Sequence, residues 1–305
     1  MSRTVVKPFE PHALLRPLAM DRALRWIMGV VLVLAIIGGG EGSSVPLSPF
    51  TWNVMVILLA VVWVGMITTS SRIAQQLPTL SMLIERDPAA AEAHLAEMLP
   101  RRMLQRSVRL LLFQQLAALR HRQQRFAEAA TICQTLLTQM PPGSHGLRLP
   151  GIIPAGQHVR AQLLLLLAEA RLQCRDLVGA YVALAELHRC ELNLLETLQR
   201  LALQTHYEVL AGHDAHALWR LREKILCAEL MPAPQCGAMH LLLATAAERM
   251  GDVEQAAYLH ARAELLCTPQ QLESFAQVMG WGMEGNSILP LPAGKSRDEG
   301  ANDPG

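Results

Sequence analysis

The sequence predicts an all-α protein, with an N-terminal two-helix transmembrane hairpin followed by an α-solenoid of about four helical hairpins. Three observations predict it. The 305 residues are 51% hydrophobic and only 17% charged, more apolar than an ordinary soluble domain. No charged residue occurs from Gly42 to Ser71. Further on, alanines 129, 180, 217 and 256 follow one another after 51, 37 and 39 residues, and two of these three intervals match one helical hairpin with its turns.

Taken in order, residues 1–22 form a short cytoplasmic segment and residues 23–71 the hairpin, with helices over about 23–40 and 50–69. The run from Phe50 to Thr69 has 20 residues, enough to cross a hydrocarbon core of about 30 Å. Its Val, Ile, Leu and Phe residues each favour insertion by roughly 0.3 to 0.6 kcal/mol. The earlier run, Trp26 to Gly40, spans only if Arg22 and Arg25 snorkel to one interface while Glu41 sits at the other. A cleaved signal peptide is the rival for that run, although Glu41-Gly42-Ser43 lacks the small-residue pattern of a cleavage site. Basic residues precede the first run (Arg3, Lys7, Arg16, Arg22, Arg25) and follow the second (Arg72, Arg86, Arg101, Arg102), whereas Glu41 to Pro49 has none. Both termini are therefore expected in the cytoplasm, with the chain integral to an inner (cytoplasmic) membrane.

Residues 72–284 carry the repeats. The clearest copy is Cys236 to Pro269, where two alanine-rich runs flank Gly251-Asp252, a pair that ends one helix and caps the next. Small residues at Ala244, Ala256 and Ala263 allow two antiparallel helices to approach closely, beside the bulk of Leu243 and Leu259. Earlier copies place Leu116-Ala117, Phe126, Ala129 and Pro141 in register, then Leu167-Ala168, Leu177 and Ala180 with Arg175-Asp176 at the turn. The third copy keeps Gly212 and Ala217 but has Thr205 and Lys224 at positions normally small. A partial first unit is expected from Ala91 and the Asp87-Pro88 helix start, with residues 73–84 as its first helix. The long interval holds a loop insertion, 141–156, whose prolines and glycines forbid a helix. Residues 274–284 read as a capping helix with Phe275 and Trp281 over the last hairpin, and 285–305 as a disordered polar tail.

On Leu243-Ala244, Gly251-Asp252, Ala256, Ala263 and Pro269, the chain resembles the tetratricopeptide repeat (TPR) family, in particular membrane-anchored bacterial-type members. It departs where His240 and His260 replace bulky core residues. The resemblance implies a stack of hairpins with a concave groove for a protein segment. TPR proteins that grip chaperone tails use a lysine, asparagine and arginine clamp on the first helices. The corresponding positions here are Gln114 and Ala118, Leu165 and Glu169, Ala202 and His206, and Leu241 and Thr245, so that clamp is absent.

Chemistry-bearing motifs are few. Pro292 to Ser296 ends like a phosphate-binding loop, but leucine occupies 289, where the motif's first glycine belongs. No nucleophile elbow or zincin motif occurs, and His213-Asp214-Ala215-His216 reads as an ordinary helix start. The six cysteines form no CxxC and fit reduced thiols in helices. Cys236, His240, His260 and Cys267 share faces of one antiparallel hairpin, an arrangement read either as core packing or as tetrahedral zinc. In this reading His240 and His260 face one another. No cofactor and no catalytic residue is expected.

Arg101, Arg102, Arg106, Arg109, Arg120, Arg122 and Arg125 stand in a stretch without Asp or Glu. Of these, Arg101, Arg102, Arg106 and Arg109 lie nearest the membrane exit and are the candidates for facing anionic lipid headgroups, at roughly 1 kcal/mol each. The alternative is a solvated face that reinforces topology. Few aromatics accompany them, which argues against nucleic acid. The functional expectation is a non-enzymatic scaffold binding a protein partner on the cytoplasmic face. The alternative is an accessory subunit whose hairpin packs on partner helices through Gly29, Gly38, Gly39 and Gly40.

Overall fold

Asp87 followed by Pro88 opens the first complete example of the local grammar that builds this protein. The Asp87 carboxylate accepts the N–H groups of Ala89 and Ala90, both at 3.1 Å, and proline needs no partner for the N–H it lacks. The computed structural model describes residue 29 and residues 49–99, 106–140 and 155–278. Every element among them is helical: α1 (Pro49–Arg86), α2 (Pro88–Met98), α3 (Arg106–Arg122), α4 (Phe126–Gln139), α5 (Ala155–Gln173), α6 (Leu177–Leu187), α7 (Leu194–Leu210), α8 (Asp214–Leu218), α9 (Leu221–Ala228), α10 (Ala233–Arg249), α11 (Val253–Leu266) and α12 (Pro269–Val278).

The helices pack as antiparallel hairpins, each against its neighbours in sequence. The first helices α1, α3, α5, α7 and α10 touch in that order, and each second helix lies between its partner and the next first helix. The small residues predicted at the crossings are buried: Ala91, Ala129, Ala180, Ala217 and Ala256 in the second helices, with Ala117, Ala168, Thr205 and Ala244 in the first. A methyl side chain lets the axes approach to about 8–10 Å, and the leucines beside it fill the ridges. Leu112, Leu119, Leu136, Leu164, Leu187 and Met239 are almost wholly enclosed.

One backbone device makes each turn. Gln124, Arg175, Gly212 and Gly251 all take the left-handed conformation, with φ of 59°, 60°, 74° and 79°. In all four the next residue's N–H bonds back to a carbonyl five residues earlier: Arg125 to Arg120, Asp176 to Arg171, His213 to Glu208, and Asp252 to Ala247. This closes the first helix as in a Schellman motif. Asp176 and Asp252 then cap the following helix through the N–H groups of Gly179 and Gln255.

Four expectations are corrected. Residues 73–84 do not form a separate helix; they are the second half of α1, which runs without a break from the predicted span into the first hairpin. The insertion 141–156 ends two residues early, because α5 starts at Ala155. The capping helix begins at Pro269 rather than 274, where Thr268 and Gln271 bond each other's backbone N–H. The second helix of the third hairpin is broken into α8 and α9 by an extended Trp219 and a left-handed Arg220.

Among the described residues no helix is long and apolar enough to cross a membrane. Most side chains of 50–69 fall outside that set, although the backbone there is helical throughout. The first predicted span (apart from Gly29), the segment 1–22, the insertion up to 154, Trp281 and the tail 285–305 lie outside the described residues.

Candidate functional site: a groove along the first helices

Three first helices present the same stripe of positions to a common hollow of about 400 Å3. On α5 it is Gln162, Leu165, Leu166, Glu169 and Gln173; on α7 Gln199, Ala202, Leu203 and His206; on α10 Gln235, Ala238, Met239 and Leu242. Spacings of three and four residues keep each set on one helix face. Phe275 of α12 adds an aromatic ring to the lining. The hollow is thus an apolar floor with glutamine amides along it, open to solvent.

Its charge is sparse. Glu169 is the one formally charged group, with the His121 ring 3.6 Å away. Burial, with a smaller push from the Arg175 guanidinium, drives the His206 imidazole down to about 4, so it is neutral at physiological pH. Its buried Nε2 has no hydrogen-bonding partner. The hollow therefore suits an uncharged guest that offers hydrogen bonds and apolar side chains.

Sequence reasoning named Leu165, Glu169, Ala202 and His206 as groove positions, and the structure brings all four together. Leu241 and Thr245 are not among them; α10 turns so that Gln235, Ala238, Met239 and Leu242 face the hollow. Gln114 lies on α3 and donates to Gln162 on α5 at 2.6 Å. The glutamines were missed. The signal was present for two of them, since Gln162 and Gln199 each stand six residues before the buried Ala168 and Thr205; Gln235, nine before Ala244, is one helical turn earlier and carried no such signal.

The basic face changes in part. Arg109 is 5% exposed and Arg120 8%, so neither presents a guanidinium outward. α3 is wedged between α1, α2 and α5, and Arg120 reaches Glu92 of α2 at 2.8 Å, bridging helices instead of meeting solvent. Hence Arg109 does not belong to a headgroup-facing set. Arg101, Arg102 and the side chain of Arg106 lie outside the described residues.

The four candidate zinc ligands do not converge. His240 is fully buried, whereas His260 points away to an exposed pairing with Glu248 at 2.8 Å. Among the described residues no group of three or more histidine, cysteine or acidic side chains is placed to hold a metal. Burial pushes the Cys236 and Cys267 thiols up and Cys133 up to about 12, so these are protonated core thiols.

No protein-family model, curated protein or solved structure matches the chain.

Proposed function

We propose that this protein is a membrane-anchored TPR-like scaffold whose groove holds an extended, uncharged segment of a protein partner on the cytoplasmic face. The row of Gln162, Gln199 and Gln235, one from each of three neighbouring first helices above an apolar floor, carries this reading. An amide side chain both donates and accepts, so a row of them spaced by the helix stack serves the alternating N–H and C=O groups of an extended backbone. Apolar side chains of that segment meet Leu165, Leu166, Leu203, Met239 and Leu242.

The anchoring rests on α1. Its first 21 residues cover about 30 Å at 1.5 Å per residue, the thickness of a bilayer core. Ile57, Val61 and Val64 stand exposed there on one face, spaced by four and three. Thr68 and Thr69 turn their hydroxyls back onto the Gly65 carbonyl, at 2.9 and 3.0 Å, which keeps them satisfied without water. Beyond Arg72 the same helix buries Ile73, Leu80 and Ile84 against the first hairpin, so no linker separates anchor from scaffold.

A photo-crosslinking residue placed at 199 or 235 of the intact protein in its membrane is expected to give one adduct of a single mass. The same residue at exposed Glu264 should give none, and Ala202→Arg should remove the adduct. Equal adducts from all three positions, or an adduct untouched by Ala202→Arg, would overturn the groove reading. If exchanging residues 23–71 for an unrelated anchor abolishes the adduct while the groove is intact, the hairpin makes the main contacts and the chain is an accessory subunit.

A further inference from the structure

The break in the third hairpin opens a second cavity, on a different face of α7 from the groove. A single second helix would have stacked on α6; instead α8 stops after five residues and the chain swings out through Trp219 and Arg220. Between α6, α7 and α8 a hollow of about 370 Å3 remains. Five rings line it: Tyr181 from α6 and His188 at its C-cap, Tyr207 from α7, and His213 and His216 at the start of α8. Four of them form a continuous strip, with centroid separations of 5.9 Å for Tyr181 to Tyr207, 6.4 Å for Tyr207 to His213, and 6.3 Å for His213 to His216.

The tyrosine hydroxyls and imidazoles of the strip each bring an O–H or N–H donor to its surface. Among the described residues, neither tyrosine hydroxyl nor the rings of His213 and His216 have a hydrogen-bonding partner. The carboxylate in the cavity, Glu208, is already taken by Lys224 and Gln204, each at 3.1 Å. A cationic guest would therefore find no free counter-charge. A proline-rich segment fits instead: in the polyproline II conformation it displays carbonyl acceptors on all sides, lacks the N–H at each proline, and lays flat pyrrolidine faces on aromatic rings. Val178, three residues before Tyr181, stands exposed on the same face of α6 and lengthens the apolar strip beyond the cavity. We propose that this ring-lined strip docks a proline-rich segment of a partner protein, independently of the groove.

The test is fluorescence anisotropy of labelled decaproline with the full chain in detergent micelles, with a glycine-serine decapeptide as control. Saturable binding of decaproline alone is expected. Tyr181→Ala, at a side chain more than half exposed and so harmless to folding, should weaken it at least tenfold, and His216→Ala several-fold. The groove variant Ala202→Arg should leave it unchanged, and thermal melting confirms that each variant is folded. No saturable binding, an affinity unmoved by Tyr181→Ala, or a loss caused by Ala202→Arg would overturn the proposal. Tighter binding of an oligoarginine probe would reassign the strip to cations.

Discussion

At four turns the backbone passes through the left-handed region, and two of the residues asked to do so have side chains that oppose it. Gly212 and Gly251 accept the conformation freely, while Gln124 and Arg175 carry a Cβ that crowds the following carbonyl, at a cost of about 1–2 kcal/mol each. Gln124 is the cleaner of the two to change, because it is exposed and its side chain serves no packing role. Gln124→Gly should relieve that strain, offset in part by the greater freedom glycine gives the unfolded chain. A net gain of about 0.5 kcal/mol is expected, read as a rise in melting temperature of the full chain in micelles of about 1–2 °C. A fall would mean that the turn does not sit in the left-handed well. The Gly251-Asp252 turn was legible because glycine and aspartate advertise their backbone roles; the equivalent turn at Gln124-Arg125 was not, since neither residue type demands it.

At the scale of elements, the third hairpin departs most from its neighbours, and Lys224 shows what holds it. Its ammonium donates to the carbonyls of His216 and Ala217, at 3.1 and 2.8 Å, at the interrupted end of α8, where the His216 carbonyl also accepts the Trp219 N–H at 3.2 Å. It also pairs with Glu208 of α7, and both side chains are close to nine-tenths buried. On the other side Arg249 of α10 donates to the Val209 carbonyl at 2.8 Å near the end of α7. Lys224→Met keeps the length and removes the donors, leaving the Ala217 carbonyl without the ammonium and the Glu208 carboxylate without its counter-charge. It should cost about 2–4 kcal/mol, seen as an early loss of helical signal on heating. Adding Glu208→Gln should recover part of that loss, and strict additivity of the two would mean that they do not interact. The sequence marked Lys224 only as a misfit at a small position. Its purpose depends on a helix break that no glycine or proline signals.

For the molecule as a whole, the proposed anchoring turns on the continuity of α1 from residue 49 into the first hairpin. Under that proposal, a helix that leaves the bilayer and becomes the first member of the array would fix where the groove stands relative to the lipid, with Arg72 and Arg86 on the cytoplasmic side. The arginine distribution then predicts that a reporter enzyme that matures only outside the cytoplasm is inactive when fused after residue 305 and active when inserted in 41–49. The reverse pattern would invert the orientation and place the groove outside. By itself the sequence determined the helical class, the hairpin period, the buried alanines and the glycine turns. Close helix approach and a positive φ restrict residue type locally, and local restrictions survive in a linear pattern. Only the tertiary structure decided which stripe faces the groove, that Arg109 and Arg120 turn inward, that His260 turns away from His240, and that α8 stops at Leu218. Each of these depends on which distant helix packs alongside, and an amphipathic pattern carries the angle of a face without the identity of what covers it.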